Sequence, residues 1–262
     1  MEKFIDTHAH YNHSRFKNDL DKVIEKVNKS TSLIINCGTN TEEINNTLNL
    51  VKKYENIYGV LGFFPVDTIE LETNINNLAW LEERLGYEKI IGLGEIGLDY
   101  YWNRPDKTIQ KKWFNQQIEL ANKLHIPICV HSRDAEEDTV NILLENRPEY
   151  GCIIHCFSYG PRTMNKLCEV NAFFGIGGTS TYKNSTLLRE AIKKMPRDRI
   201  ILETDAPCLT PVPNRGKRND SSNIIDIIKN LEPLLNLNSD EIIELTNKNA
   251  LEAYPLLKRY LS

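Results

Sequence analysis

The sequence predicts an α/β protein folded as a (β/α)8 TIM barrel, with a metal centre at the carboxyl-terminal face of its strands. Eight short runs rich in Ile, Val and Leu recur along the 262 residues. They are continuous rather than alternating, the pattern of strands buried on both faces of a parallel sheet. Residues with helical periodicity fill the gaps between them, and about eight βα units in roughly 250 residues is the size of such a barrel. Five of the runs end in side chains able to bind metal. An open doubly wound sheet is the other arrangement of such units, but it would gather ligands from only one or two strand ends.

Taken in order, the expected strands are Phe4–Thr7, Leu33–Cys37, Tyr58–Phe63, Ile90–Gly94, Ile126–His131, Cys152–His155, Phe173–Ile176 and Ile200–Glu203. Helical faces between them include Leu20-Val23-Ile24-Val27, Ile44-Leu48-Val51, Trp113-Ile118-Ala121-Leu124 and Leu187-Leu188-Ala191-Ile192. Asn40 with Glu43 three residues on, and Pro161 in a first turn, mark two helix starts. Beyond the eighth strand, Pro211 to Asn219 is too long for a bare connection, and loops of that kind are usually functional. Two amphipathic helices follow, the last opening at Ser239. With no linker, repeat or charge block, one domain is expected over residues 1–262.

Hydrophobic residues make up 40% and charged residues 26%, an ordinary globular balance. A formal net charge of -4 argues against a broad basic surface that would hold nucleic acid by charge alone. It leaves a nucleic-acid substrate open, because bound divalent cations reverse the local field. No run approaches a membrane span and no leader-like segment opens the sequence, so a cytoplasmic monomer is expected. The six cysteines (Cys37, Cys129, Cys152, Cys156, Cys168, Cys208) form no Cys-x-x-Cys pair and read as small buried residues in a reducing compartment.

The strand-end motifs are Asp6-Thr7-His8-Ala9-His10, Gly94-Glu95-Ile96-Gly97-Leu98-Asp99-Tyr100, Val130-His131-Ser132-Arg133, Ile154-His155-Cys156-Phe157 and Glu203-Thr204-Asp205-Ala206-Pro207. Neutral imidazole and carboxylate suit a divalent ion. His8 and His10 are expected to share the mouth provided that the first strand ends at His8. Glu95 is central enough to bridge two ions, which are expected to be Mg²⁺ or Mn²⁺, with Zn²⁺ as an alternative. Metal binding brings the pKa of water from about 15.7 to about 7, and an ion pair neutralises both oxygens of a phosphoryl displacement. Asp205 is placed to orient or deprotonate the attacking water. His13 and His125 read as solvent-exposed and structural, respectively. Tyr100, Tyr101 and Trp102 at the mouth, and Phe157 and Tyr159 after the sixth strand, read either as base-stacking surfaces or as loop packing. Arg215, Lys217 and Arg218 are read as phosphate contacts beside Asp205.

Together with His131-Ser132-Arg133-Asp134-Ala135 and Arg215-Gly216-Lys217-Arg218-Asn219, these ordered motifs resemble the TatD family of metal-dependent deoxyribonucleases, from residue 4 to the helix carrying Thr246-Asn247-Lys248-Asn249-Ala250. The resemblance implies 3′-to-5′ exonuclease action on DNA, often on single strands. By the same resemblance His8, His10, Glu95 and Asp205 match ligands of one ion, and Glu95, His131 and His155 those of the other. Arg133 and the segment from Arg215 to Arg218 match positions near substrate phosphates. Two departures stand out. Where the family commonly carries Gly-x-His-Pro-His, this chain reads Gly62-Phe63-Phe64-Pro65-Val66, and Asp220-Ser221 replaces the usual Glu-Pro. Two other readings compete: hydrolysis of an ester or amide such as a D-aminoacyl-tRNA, and a catalytically dead barrel serving as a binding module.

Overall fold

The computed structural model describes residues 2–102 and 104–260; residues 1, 103, 261 and 262 of the expected domain lie outside it. Eight parallel strands form one sheet in chain order: β1 Phe4–Ala9, β2 Thr31–Gly38, β3 Ile57–Leu61, β4 Ile90–Asp99, β5 Ile128–Arg133, β6 Cys152–Ile154, β7 Ala172–Ile176 and β8 Ile200–Leu202. Helices α1 Leu20–Val27, α2 Thr41–Lys53, α3 Ile69–Thr73, α4 Asn76–Leu85, α5 Lys107–Leu124, α6 Glu136–Glu145, α7 Pro161–Cys168 and α8 Thr186–Lys194 fill the crossovers, and α9 Ile224–Leu235 and α10 Ser239–Ala253 follow β8. The two sequence-marked helix starts form as expected: Asn40 accepts the Glu43 N–H at 3.0 Å, and Pro161 opens α7. None of the helices is long and apolar enough to cross a membrane, among the described residues.

Alternation along the strands sorts the side chains into layers. Leu33, Ile35 and Cys37 of β2 fill the barrel interior with Cys129, Ile153 and Ile201. Two residues further along their strands from those last three come His131, His155 and Glu203. A period of two therefore places an apolar floor under a polar mouth. The residues between, such as Ile34, Val130 and Ile154, face outward and pack under the helices.

The seam between the first and last strands is closed at the mouth by the strands' own ends and at the floor by α10. At the mouth, Ala9 bridges Ala206, and Asp205 N–H donates to His8 O at 2.9 Å. The buried Asp6 carboxylate reinforces this seam: it accepts the Thr204 hydroxyl at 2.6 Å, the Thr204 N–H at 3.0 Å and the Ser221 hydroxyl at 2.6 Å. Ser221 thus makes a hydrogen bond that the family's usual proline side chain could not donate. At the floor, α10 spans the same seam with two asparagines. Asn247 accepts the Ile5 N–H at 2.9 Å and donates to Lys3 O at 2.9 Å, while the buried Asn249 amide donates to Arg197 O at 2.7 Å and Ile200 O at 2.8 Å. Directly after α10, the buried Tyr254 ring joins the interior core from below.

Removing the Asn249 amide leaves two carbonyls without their donor. Asn249→Ala should cost about 1–3 kcal/mol, read as a lower urea midpoint at unchanged m-value; an unchanged midpoint would show that the floor seam contributes no stability.

Candidate metal centre

His8 reaches the mouth by an irregularity that the local pattern does not announce. Ile5 faces the interior, and strict alternation would then send His8, three residues on, to the outside. The β1–β2 register shifts between Asp6 and Ala9, and this restores His8 to the inner face. The expectation that the strand must stop at His8 is corrected: β1 continues to Ala9, and His10 follows His8 inward because residues two apart share a face. Nε2 of His8 and Nε2 of His10 lie 3.0 Å apart.

Strand β4 is also longer than the sequence suggests, running to Asp99, so Glu95 lies within it at a register shift between Gly94 and Ile96 rather than in a turn after it. Gly97 permits this close pairing. It has φ 135°, and a Cβ there would lie 2.0 Å from His131 O. His131 is on β5, His155 directly follows β6, and Asp205 lies beyond β8 with φ 56°.

These six residues converge with Glu95 at the centre. Its Oε2 is 3.4 Å from His8 Nε2 and 3.6 Å from His10 Nε2. Its Oε1 is 2.9 Å from His131 Nδ1 and 3.9 Å from His155 Nε2. Asp205 Oδ1 closes the group, 3.4 Å from His10 Nε2, 3.7 Å from His8 Nε2 and 3.8 Å from His155 Nε2. The side chains of His8, Glu95 and His155 are almost wholly buried, whereas His10, His131 and Asp205 keep 17%, 17% and 18% of theirs open to the mouth. The centre therefore has a closed side and an accessible side.

The donor chemistry fits divalent cations. His8, His10 and Glu95 form one set whose ligating atoms can surround an ion; Glu95, His131 and His155 form another; His8, His155 and Asp205 form a third. Two of the imidazoles are backed by carboxylates on their far nitrogens. His131 Nε2 is 3.0 Å from Asp99 Oδ2, and His155 Nδ1 is 3.0 Å from Glu203 Oε1. Such partners orient a ligating ring and raise its basicity. The Glu203 carboxylate is itself pinned by the Cys156 N–H at 2.7 Å and lies so close to β7 that a Cβ on Gly175 would sit 2.0 Å from Oε2. Sequence reasoning assigns no such role to Asp99, Glu203 or Asp6. A signal is present for Glu203, which stands two residues from Ile201 and so in phase with the interior.

Without a cation, these groups titrate against one another. Burial works to raise the Glu95 pKa, but the His155 charge and hydrogen bonds from His131 and His8 hold it well below the carboxylate range. Burial and the His155 charge oppose a protonated His8, yet Cys129 and Glu95 outweigh them and lift its pKa to about 10. His131 is also raised, with Asp99 and Glu95 overcoming burial.

The expected substrate-side residues separate into two groups. Arg133 lies flat over the Tyr101 ring at 3.7 Å, and Tyr101 packs edge-on against Trp102 at 5.1 Å. These two rings are 56% and 53% exposed, so they, rather than Tyr100, make the aromatic rim after β4. Arg215 covers the Tyr182 ring at 4.2 Å, and Lys217 is exposed with its ammonium 3.2 Å from Asn214 Oδ1. Three expectations are corrected. Phe157 is buried and packs on Phe174 with ring centroids 4.9 Å apart, so it offers no stacking surface. Tyr100 turns toward the helices, donating to Asp138 at 2.6 Å beneath the Lys107 ammonium. Arg218 is held by both Asp19 oxygens at 2.8 and 2.6 Å and braces the seam loop instead of facing the mouth. Phe64, where the family's first missing histidine would stand, packs on His131 with centroids 4.6 Å apart and walls that side of the centre with hydrocarbon.

The comparisons agree with this architecture. The family described as TatD related DNase matches residues 5–255. The chain is 38% identical over 248 residues to an uncharacterized metal-dependent hydrolase of Bacillus subtilis, YabD, covering 94% of this chain and 96% of the relative. Identity to a second uncharacterized metal-dependent hydrolase, BU355 of Buchnera aphidicola, is 33% over 255 residues, with 94% of this chain and 96% of the other covered. Among solved structures, the TatD homolog YJJV of Escherichia coli K12 superposes with a TM-score of 0.88 at 27% identity, covering 96% of this chain and 98% of that one.

Two measurements probe the centre. Because His8 and His131 hold protons more tightly than free imidazole, a divalent ion must displace protons near neutral pH. Affinity should rise with pH from 6 toward about 10. Calorimetric titration in buffers of differing ionisation enthalpy should therefore register proton release, and a buffer-independent heat would contradict the assignment. Asp99→Asn should weaken metal binding about 10–100-fold by equilibrium dialysis; wild-type affinity would mean that Asp99 does not support His131.

Proposed function

The chain belongs to the TatD family of metal-dependent hydrolases, and from that membership we propose that it is a 3′-to-5′ exodeoxyribonuclease using two divalent ions, Mg²⁺ or Mn²⁺, with Glu95 a member of both ligand sets. The observation that carries this reading is the division of Glu95: one oxygen faces His8 and His10, the other faces His131 and His155. The proposed ligands are His8, His10, Glu95 and Asp205 for one ion, and Glu95, His131 and His155 for the other. When bound, the ions supply Lewis acidity to a water and to the phosphoryl oxygens.

The remaining work falls to the protein. Asp205 stands on the open side with its carboxylate among His8, His10 and His155, so it can accept a proton from an attacking water and pass it to solvent. Burial would raise its pKa, but the hydrogen bond from His10 and the neighbouring imidazolium charges depress it, so it is ionised and ready to accept. Glu203 and Asp99 hold two ligand rings in register. Substrate enters between two aromatic–guanidinium pairs, Arg133 on Tyr101 and Arg215 on Tyr182, with Lys217 at the edge. Planar guanidinium and exposed aromatic rings suit phosphates with unpaired bases, and Trp102 offers a further stacking face.

The test is degradation of end-labelled single-stranded DNA with Mg²⁺ or Mn²⁺. Wild-type protein should shorten the strand from its 3′ end, and Glu95→Ala should lose on the order of 10⁴-fold in rate. Metal bound without any degradation would move the reading to an ester or amide such as D-aminoacyl-tRNA. Trp102→Ala should raise the KM for single-stranded DNA about tenfold, as expected from loss of one stacked base, with kcat little changed. An unaltered KM would remove the rim from the binding surface.

A further inference from the structure

Beneath the mouth the largely apolar barrel interior holds a cluster of soft donors. Cys37 of β2 and Cys129 of β5 are fully buried, and their sulfurs lie 3.3 and 3.5 Å from Nδ1 of His8, the ring nitrogen turned away from Glu95. All three atoms fall within 4.8 Å of one another. From below comes the Tyr254 hydroxyl, fully buried and without a hydrogen-bond partner among the described residues. Its ring belongs to the same interior core as Cys37 and Cys129.

A buried cysteine is ordinarily a small apolar filler. Here β2 and β5 are not sheet neighbours, yet their two sulfurs converge on one imidazole nitrogen. An ion bound at about 2.3 Å from sulfur and about 2.05 Å from nitrogen in tetrahedral geometry needs those atoms about 3.6 Å apart. The observed separations come within a few tenths of an ångström of that. Leu33, Ile35, Val60 and Ile153 form the surrounding shell, so the cluster is dry, and its sulfur content selects soft ions over Mg²⁺.

We propose that Cys37, Cys129 and Nδ1 of His8 form a second, closed metal site for a thiophilic divalent ion of the zinc and cadmium class, with the Tyr254 hydroxyl in the fourth position. Binding takes Cys37 and Cys129 as thiolates and Nδ1 of His8 as a neutral donor, and the protons these three groups hold between them leave to solvent through the mouth. Nδ1 gives its lone pair to the buried ion, so the remaining ring hydrogen of His8 resides on Nε2, which then has no lone pair for an ion at the mouth. The two centres compete for His8, and a thiophilic ion withdraws it from the catalytic position. That competition rests on the proposed mouth ligands; the buried site rests on its own donors.

The experiment is a Cd²⁺ titration of the full-length chain stripped with EDTA, followed by thiolate-to-cadmium charge-transfer absorption in the ultraviolet, which needs no nuclease activity. The wild type should develop the band at one equivalent in the buried site. Cys37→Ser/Cys129→Ser should reduce it to background, and Cys156→Ser/Cys208→Ser should retain it. Absence of the band in the wild type, or its persistence in the Cys37/Cys129 variant, overturns the site. If that variant fails to fold by circular dichroism, anomalous diffraction from cadmium-loaded wild-type crystals decides: density between Cys37, Cys129 and His8 supports the site, and density at the mouth alone overturns it.

Discussion

The mouth is organised around one buried negative charge. Glu95 sits 3% exposed inside the barrel, where a lone carboxylate would give up its charge by taking a proton. It stays ionised because imidazoles from β1, β5 and the end of β6 surround it. Those rings in turn need partners of their own, and Asp99, Glu203 and Asp205 answer them. Each group is acceptable in a low dielectric only because the next is present. The barrel supplies what such a cluster demands, a ring of strand ends that holds each charge within 4 Å of an opposite neighbour. In place of mutual neutralisation between side chains, divalent ions can take over the positive role.

Much of this is legible in the amino-acid sequence. Eight apolar runs with helical spacers specify a barrel, because only closure brings the ends of units one, four, five, six and eight together. Residues at plain strand ends, His131 and His155, can be placed by alternation alone. His8 is harder, since its inward direction depends on a register shift between Asp6 and Ala9 that no local pattern marks. The supporting carboxylates are harder for a different reason: Asp99 and Glu203 act through partners distant in the chain, and although Glu203 is in phase with the interior residue Ile201, nothing nearby identifies the ring that either one supports.

The rim is the least legible part. A residue following a strand is at the mouth, but its side chain can turn inward, outward or along the wall. Tyr100 and Tyr101 are adjacent and point to different environments, one onto Asp138 and the other under Arg133. Arg218 and Arg215 are three apart in the same loop, yet only Arg218 meets an acid from the first βα loop. Phe64 shows the reverse case. Its replacement of histidine removes a polar group from the third strand's side, and the ring contributes a dry wall against His131.

The asparagines of α10 also bear on how the chain is made. β1 leaves a ribosome long before α10, but its lower edge is tied to β8 by Asn247 and Asn249, more than 240 residues later for the Ile5 contact. Until β8 has emerged, a growing chain carries two open parallel edges, one at each end of an unfinished sheet, and the floor of the seam waits for α10. Such edges recruit any other extended segment within reach. Synthesis of this barrel is thus a prolonged exposure, ended in two steps when β8 closes the mouth and α10 closes the floor.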